Sequence, residues 1–237
     1  MNNKHDKVNN WYLKIPKQFN NNSGADPTYK SHLIKPNSMV LCVGKSGSGK
    51  TNSIIEFLSR KNSRFYEIII FTGSNTDEPL YNFLKARING IQLIDDIKNL
   101  PKIENYKDTD KSLEKLLIFD DTIMLDKKIM KEIEKFYMMA RKLGFTCVFL
   151  AQDYHSVSTF IRRNINYLQL FKMADFKDMK NILSKYCTEI DIDTLKNMLN
   201  YATNEPMNFL TIAINEPENG KYRRNFNEIL NPLEFKI

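Results

Sequence analysis

Apolar residues occur along the chain in two patterns, and each pattern predicts a different kind of element. Some form short continuous runs rich in Ile, Val, Leu and Phe, which is typical of strands buried on both faces of a sheet. Others recur every three or four residues, which predicts helices with one buried face. The predicted strands are 38–43, 66–73, 90–95, 115–121, 145–152, 165–172 and 207–214. The predicted helices begin after residue 51 and cover 79–86, 127–142, 176–186 and 191–201, with a short helix around 160–163.

Strands that alternate with helices predict an α/β fold with a mostly parallel sheet covered by helices on both faces. In the helix 79–86 we expect Leu80, Phe83 and Leu84 to share one face. The polar segment 96–112 predicts a loop with a helical turn. The segment 214–226 predicts a C-terminal β-hairpin around Glu218-Asn219-Gly220, because Asn-Gly favours the tight turns of hairpins.

The sequence also suggests where the main domain begins. Residues 1–35 predict a partly flexible N-terminal arm, because Asn20-Asn21-Asn22-Ser23-Gly24 has no apolar period and favours turns. Trp11, Leu13 and Ile15 alternate with polar residues, so the arm is either a tail or an extended segment that contacts a neighbouring subunit or a larger assembly. Residues 36–237 then form one domain, which suits the chain length of 237 residues.

Composition narrows the class of protein further. The formal net charge of +7 favours a polyanionic partner. The three cysteines, Cys42, Cys147 and Cys187, lie far apart in the sequence, and two of them fall in apolar strand-like runs. This predicts buried thiols in a reducing compartment, without a disulfide or a zinc site. No apolar run approaches the length of a membrane span, and residues 1–7 lack the apolar core of a signal peptide. We therefore expect an intracellular protein that is not secreted.

The stretch between the first strand and the first long helix carries the phosphate-binding loop pattern, with glycines at its first and sixth positions followed by Lys and Thr. A glycine-rich backbone can direct several N–H groups at one anion, and the helix N-terminus adds further donors. We expect Lys50 to reach the β- and γ-phosphates of ATP and Thr51 to ligate Mg²⁺. A chance match in a surface turn is disfavoured because strand, loop and helix are in the required order. The predicted ATP-binding residues are Gly44, Lys45, Ser46, Gly47, Ser48, Gly49, Lys50 and Thr51.

Two further strand ends carry polar residues suited to the same site. Asp120 ends an apolar strand about 70 residues after the loop, where a carboxylate can hold the Mg²⁺ shell. Asp121 stands where a second acid polarises the attacking water in NTPases with an extra central strand; alternatively it caps a helix or supports a neighbour. Gln152 ends the strand 145–152 and could sense the γ-phosphate or orient water, or could simply cap the strand.

Several segments resemble one family of ATPases. Ala140-Arg141-Lys142-Leu143-Gly144-Phe145, followed by a strand that ends in Gln152, resembles the FtsK–HerA superfamily of DNA-pumping ATPases. Three later segments are similar to segments of the DNA-packaging ATPases of poxvirus-like large DNA viruses and virophages. They are Ser158-Thr159-Phe160-Ile161-Arg162-Arg163-Asn164-Ile165-Asn166, Phe209-Leu210-Thr211-Ile212 and Lys221-Tyr222-Arg223-Arg224-Asn225-Phe226. The resemblance covers roughly residues 36–226. It implies a RecA-like P-loop NTPase fold with the additional strand.

The same resemblance implies a homo-oligomeric ring, a pentamer or hexamer, that uses ATP and Mg²⁺ to thread double-stranded DNA into a preformed capsid. By family position, Arg141 would act on the nucleotide of the neighbouring subunit as an arginine finger. Arg162 and Arg163 are competitors for that role or contacts to DNA, unless they are solvated helix arginines. Capsid vertex proteins are the implied docking partners, in the host cytoplasm at the viral assembly site, with association with the virion as a further expectation. Asp121 departs from the Glu that is commoner in the family, which weakens its assignment as the base.

Two other functions remain open from the sequence. One is a HerA-like DNA helicase or plasmid-mobilisation ATPase of the same superfamily. The other is a nucleotide-dependent structural protein of the virion, in which the ATP site is regulatory. A small-molecule kinase is disfavoured because no acceptor site or lid is evident after Gln152. Turnover that DNA stimulates would support a motor, and turnover indifferent to DNA would favour the structural protein.

Overall fold

The apolar runs of the sequence form one sheet in this computed structural model, which describes residues 26–62, 64–73, 78–120, 122, 127–173, 175–186 and 189–236. The strands are β1 (Met39–Val43), β2 (Glu67–Phe71), β3 (Ile91–Ile94), β4 (Lys115–Asp120), β5 (Phe145–Ala151), β6 (Tyr167–Phe171), β7 (Phe209–Ala213), β8 (Tyr222–Arg224) and β9 (Glu228–Ile229). Every residue of β1, β5, β6 and β7 is buried. Strands buried on both faces need continuous apolar runs, which explains the sequence pattern.

The strand order is β3-β2-β4-β5-β1-β6-β7-β8-β9. The first six strands of that order are parallel, and β7, β8 and β9 follow as antiparallel neighbours. Strand β5 lies between β1 and β4, so the additional central strand expected of the RecA-like class is confirmed. Because β1, β4 and β5 are parallel, their C-terminal ends meet at one edge of the sheet.

Helices cover both faces of this sheet. They are α1 (Tyr29–His32), α2 (Lys50–Arg60), α3 (Pro79–Arg87), α4 (Lys127–Met139), α5 (Thr159–Asn164), α6 (Phe176–Leu183), α7 (Ile192–Ala202) and α8 (Glu218–Lys221), with 3₁₀ helices at Ile97–Asn99, Ile103–Tyr106, Ala140–Leu143 and Pro232–Phe235. Side chains of α2 and α3 pack with Val40 and Cys42 on one face, whereas side chains of α4, α5, α6 and α7 pack with Leu41 and Val43 on the other. The mostly parallel, doubly covered α/β fold is therefore confirmed. None of the described helices is long and apolar enough to cross a membrane.

The predicted buried face of α3 is confirmed at Leu84 and wrong at Phe83. Phe83 is 50 % exposed, and the residues that pack into the core are Tyr81 and Leu84. They are three positions apart and therefore share a face of the helix. The phenol of Tyr81 could be buried because its hydroxyl has a polar partner, and that partner belongs to the site described below.

The tight turn predicted at Asn219-Gly220 is also wrong. Both residues lie in α8, and the glycine does not adopt the positive φ that a tight hairpin turn of this kind needs. Strands β7 and β8 still pair in antiparallel fashion, but through the longer connection that contains α8. The short hairpin joins β8 to β9 instead, and Asn225 supplies the left-handed residue with φ 54°.

The segment that precedes β1 contacts the end of α2. The carboxylate of Asp26 lies 2.6 Å from Lys61 Nζ and 3.1 Å from His32 Nε2, and Lys61 also pairs with Glu114 at 2.6 Å. Burial acts to raise the pKa of Asp26, but hydrogen bonds from Lys61 and Thr28 hold that pKa well below its usual range. The last ten residues of the predicted arm, 26–35, thus contact the domain, whereas residues 1–25 lie outside the described residues.

Two of the cysteines occupy central strands. Cys42 on β1 and Cys147 on β5 are buried thiols without a disulfide, as predicted. Burial raises the pKa of both, so neither is a reactive thiolate at neutral pH. Cys187 lies outside the described residues.

Candidate nucleotide site

The phosphate-binding sequence forms the loop between β1 and α2. Its first glycine, Gly44, lies where the loop leaves the sheet, and its N–H donates to the carbonyl of Ala151 at 3.1 Å. A Cβ at this position would lie 2.6 Å from Cβ of Phe171 and 2.6 Å from Oγ of Ser48. Only glycine fits there without displacing a neighbouring strand or the loop itself.

The last glycine of the loop is the N-cap of α2. Gly49 has φ 101°, which residues with a Cβ rarely adopt, and α2 begins at the next residue. The unpaired N–H groups of the first helical turn therefore open towards the loop. The hydroxyl of Ser48 is buried and has no hydrogen-bond partner among the described residues. A phosphate oxygen would satisfy it, so the loop fits a phosphate group.

Lys50 is the first residue of α2, and its side chain turns back into the loop. Its ammonium donates to the carbonyl oxygens of Gly44 at 2.6 Å and of Lys45 at 2.9 Å. Only 9 % of the residue is exposed. The charge is thereby held at the mouth of the loop, where it is little screened by solvent.

The carboxylate of Asp120 lies at the end of β4, beside the start of α2. Tyr81 donates a hydrogen bond of 2.6 Å from its hydroxyl to Oδ2 of Asp120, and the same hydroxyl interacts with the side chain of Thr51. Burial and the charge of Asp120 raise the pKa of Tyr81, so the phenol stays neutral. Tyr81 therefore links the two residues that the sequence assigned to the metal.

These oxygen atoms suit Mg²⁺, which prefers one or two carboxylate or hydroxyl ligands completed by water and phosphate oxygens. No group of three or more His, Cys, Asp or Glu side chains within the described ranges could hold a metal by itself. The donors Thr51 and Asp120 thus fit a metal that arrives with the phosphates of a nucleotide.

One cavity joins these residues at the C-terminal edge of the sheet. It has a volume of about 480 Å³, and Gln152 at the end of β5 lines it between the phosphate loop and Asp120. Three distant parts of the sequence, represented by Lys50 and Thr51, by Asp120 and by Gln152, are therefore neighbours in space. Thr72, Tyr81 and Met207 line the same cavity. Asp121 lies outside the described residues, so its place in the site stays a prediction.

The predicted arginines do not line this cavity. Arg141 is exposed in the 3₁₀ helix that precedes β5, at the opposite edge of the sheet from Gln152. The seven residues of β5 lie between the two, which at about 3.3 Å per residue corresponds to roughly 23 Å. Arg162 lies 4.9 Å above the ring of Tyr154 and donates to Thr159, whereas Arg163 is exposed on α5.

Comparison with known proteins places this fold and site in a family. Residues 26–216 match the family described as Poxvirus A32 protein. The chain belongs to the poxvirus A32 family. Over 183 residues it is 29 % identical to the DNA packaging protein OPG160 of variola virus, and equally to that of vaccinia virus strain Copenhagen. The matches cover 72 % of this chain and 66 % of each relative, slightly less than two thirds of their length.

Two of the solved structures with the same fold come from Sulfolobus viruses. One is the DNA-packaging ATPase B204 of Sulfolobus turreted icosahedral virus, with a TM-score of 0.57 and 16 % identity, covering 83 % of this chain and 100 % of that one. Another is the genome packaging NTPase B204 of Sulfolobus turreted icosahedral virus 2 in complex with ATP-gammaS, with a TM-score of 0.57 and 17 % identity over 81 % of this chain and 98 % of that one. These likenesses support the RecA-like fold. The resemblance to packaging ATPases of poxvirus-like viruses is confirmed at the level of the family.

The sequence reasoning did not assign Tyr81 or Met207 of this A32-family chain to the site. Tyr81 escaped notice because nothing in the pattern of α3 tells a core tyrosine from one that contacts a site carboxylate. Met207 precedes β7 and was counted as part of that strand. The A32 match begins ten residues before the expected start and ends before the Arg-Arg-Asn segment at 223–225.

Proposed function

We propose that this chain is an ATPase that drives double-stranded viral DNA into a preformed capsid. The observation that carries the proposal is the single cavity that brings Lys50, Thr51, Asp120 and Gln152 together in a chain of the A32 family. Its curated relatives are named DNA packaging proteins. The fold is shared with enzymes described as packaging NTPases.

In this proposal the residues Gly44 to Thr51 hold the triphosphate. The backbone N–H groups of the loop and of the first turn of α2 donate to the phosphates, and the ammonium of Lys50 neutralises charge on them. Thr51 and Asp120 hold Mg²⁺, which when bound neutralises charge that develops on the phosphate oxygens. Tyr81 keeps Asp120 oriented towards Thr51.

Hydrolysis needs a water molecule placed opposite the leaving group. Gln152 is exposed at the end of β5 within the cavity and has an amide suited to orient that water. Asp121, which follows Asp120 in sequence, is the proposed general base. The position of β5 between β1 and β4 supports the role of Gln152, because it puts the amide between the loop and the acid strand.

The proposal also includes a homo-oligomeric ring, pentameric or hexameric, because Arg141 is too far from the nucleotide site of its own subunit to act there. Its exposure at the opposite sheet edge supports delivery to a neighbouring subunit's nucleotide. Arg162 is partly engaged with Tyr154 and Thr159. We therefore assign Arg163 as the better candidate for a DNA contact.

The net charge of +7 supports a polyanionic substrate. A pump that works on any sequence needs contacts to phosphates rather than to base edges. Capsid vertex proteins are the proposed docking partners, at the viral assembly site in the host cytoplasm.

Phosphate release from ATP tests this function. We expect duplex DNA to increase the rate, a scrambled duplex of equal length to act equally, and the effect to fall steeply as salt rises, because bound lysines and arginines displace counterions. Lys50→Ala should remove the activity, whereas Lys85→Ala, at an exposed lysine of α3 that does not line the cavity, should change it little. Hydrolysis that is indifferent to DNA would favour a nucleotide-dependent structural protein of the virion.

A further inference from the structure

Met207 has a backbone conformation that its residue type does not favour. Its φ is 66°, in the left-handed region where residues other than Gly, Asn and Asp are uncommon. Its side chain is 55 % exposed, although methionine is apolar. Strained backbone of this kind persists only where the surrounding structure holds it, and it is found most often at functional sites.

The chain at Met207 lies directly against the phosphate-binding loop. A Cβ built on Gly49 would lie 2.9 Å from Cα and 2.9 Å from Cβ of Met207. The side chain of Met207 also lines the cavity that contains Lys50 and Asp120. An apolar, exposed side chain therefore forms one wall of the proposed nucleotide site.

Arg224 on β8 fixes the segment before Met207. Its Nη2 donates to Oδ1 of Asn204 at 3.2 Å and to Oε2 of Glu205 at 2.8 Å. The guanidinium also lies 5.3 Å above the ring of Tyr201 at the end of α7. The turn that leads from α7 to Met207 is thus tied to the antiparallel part of the sheet.

Asn225 fixes the segment after Met207. Its Nδ2 donates to Oδ1 of Asn208 at 3.0 Å, and its own Oδ1 accepts a hydrogen bond of 3.1 Å from the N–H of Phe209. The backbone is therefore held on both sides of Met207. Arg224 and Asn225, which do not line the cavity themselves, thus place this residue.

The strand order indicates which part of a nucleotide would meet Met207. Asp120 and Gln152 end β4 and β5, on one side of β1, and mark the side of the γ-phosphate. Strand β7, which Met207 precedes, lies on the other side of β1, beyond β6. The nucleoside end of a triphosphate bound in the loop would therefore point away from Asp120 and Gln152 and towards Met207.

We propose that Met207 packs against the face of the nucleobase and forms the base subsite of the nucleotide cavity. The inference rests on the proposed ATP-binding function of that cavity. A thioether is polarisable and packs well against aromatic rings. Because this contact is to the ring face, it contributes to affinity without distinguishing adenine from guanine by its edge.

Calorimetric binding of Mg²⁺–ATP and of Mg²⁺–tripolyphosphate tests the inference, since only ATP carries a base. Met207→Ala should weaken ATP binding by about two- to tenfold, and tripolyphosphate binding should not change. Met207→Gly, which suits the positive φ, should show the same selective loss. The matched control is Met138→Ala, which removes a methionine that is 63 % exposed on α4.

Two results would overturn the base subsite and leave the ATPase proposal standing. One is unchanged ATP affinity in both Met207 variants. The other is an equal loss for ATP and tripolyphosphate, which would mean that Met207 only supports Gly49. Wild-type protein that binds neither compound would instead overturn the proposed function together with this inference.

Discussion

The hydroxyl of Tyr81 donates a 2.6 Å hydrogen bond to the carboxylate of Asp120, although the two residues lie on different elements and 39 positions apart. Tyr81 is only 1 % exposed. The bond involves Oδ2 of Asp120 and not Oδ1. A partner that orients a metal-binding carboxylate usually contributes strongly to metal affinity.

Tyr81→Phe should therefore raise the Mg²⁺ concentration needed for nucleotide binding, by about tenfold or more. The ring still fills its place in the core, so the fold should be retained. Binding of a fluorescent ATP analogue, titrated with Mg²⁺ and repeated in EDTA, checks this expectation. Affinity in EDTA should match the wild type. Tyr66→Phe, at a tyrosine that is 69 % exposed, is the control, and an unchanged Mg²⁺ requirement in Tyr81→Phe would refute the role.

Arg141 should act on the nucleotide of a neighbouring subunit. Arg141→Ala is expected to bind ATP normally and to hydrolyse it poorly, since an arginine supplied in trans can contribute roughly 10³–10⁵ in rate in other NTPases. Mixing it with Lys50→Ala should restore part of the activity, because some interfaces then pair an intact loop with an intact Arg141. The neighbouring, exposed Lys142→Ala should stay active. If mixed assemblies form and no activity returns, Arg163 and Arg162 become the candidates.

His32 should make stability depend on pH. It is fully buried, its Nδ1 accepts from the N–H of Ile34 at 3.0 Å, and its Nε2 contacts Asp26. Burial lowers the pKa of His32, while Asp26 opposes that change. As the pH falls below about 6.5, the unfolded chain binds a proton before the folded one, so the free energy of unfolding falls by at most about 1.4 kcal/mol per pH unit.

Urea denaturation between about pH 7.5 and pH 5.5 measures this effect, because carboxylates with ordinary pKa values titrate mostly below that window. His32→Asn keeps an oxygen that can accept from Ile34 but does not titrate. It should be less stable than the wild type at pH 7.5 and should lose less stability on acidification. An equal slope in both proteins would show that His32 is not the titrating group.

Much of this fold could be predicted because its signals are local. Buried parallel strands need continuous apolar runs, and a strand, a glycine-rich loop and a helix in immediate succession leave little freedom for the phosphate site. The prediction of a tight turn at Asn219-Gly220 failed because the preference of Asn-Gly for hairpins is weak compared with the pairing of β7 with β8. That pairing spans a longer connection, which contains α8. Asn225, which does take the left-handed turn position, carries no such signal next to Phe226.

Contacts between elements that are distant in the chain could not be predicted from the sequence. The link from Tyr81 to Asp120 depends on how α3 packs on the sheet. The contact of Met207 with Gly49 depends on the strand order, in which only β6 separates β1 from β7. The apolar pattern of α3 predicted Phe83 as a core residue. In the structure Tyr81 is buried instead, because the carboxylate of Asp120 accepts a hydrogen bond from its hydroxyl. Single-sequence periodicity does not contain that information.

Displacement of a third strand from triplex DNA tests the central claim most directly, because it requires movement along the duplex rather than hydrolysis alone. Wild-type protein with ATP and Mg²⁺ should release the third strand from duplexes of unrelated sequence, and its release should stop with Lys50→Ala or with a non-hydrolysable ATP analogue. Release of phosphate from ATP without displacement of the third strand, by an assembly shown to be bound to the duplex, would contradict the proposal that this chain is a DNA-packaging motor.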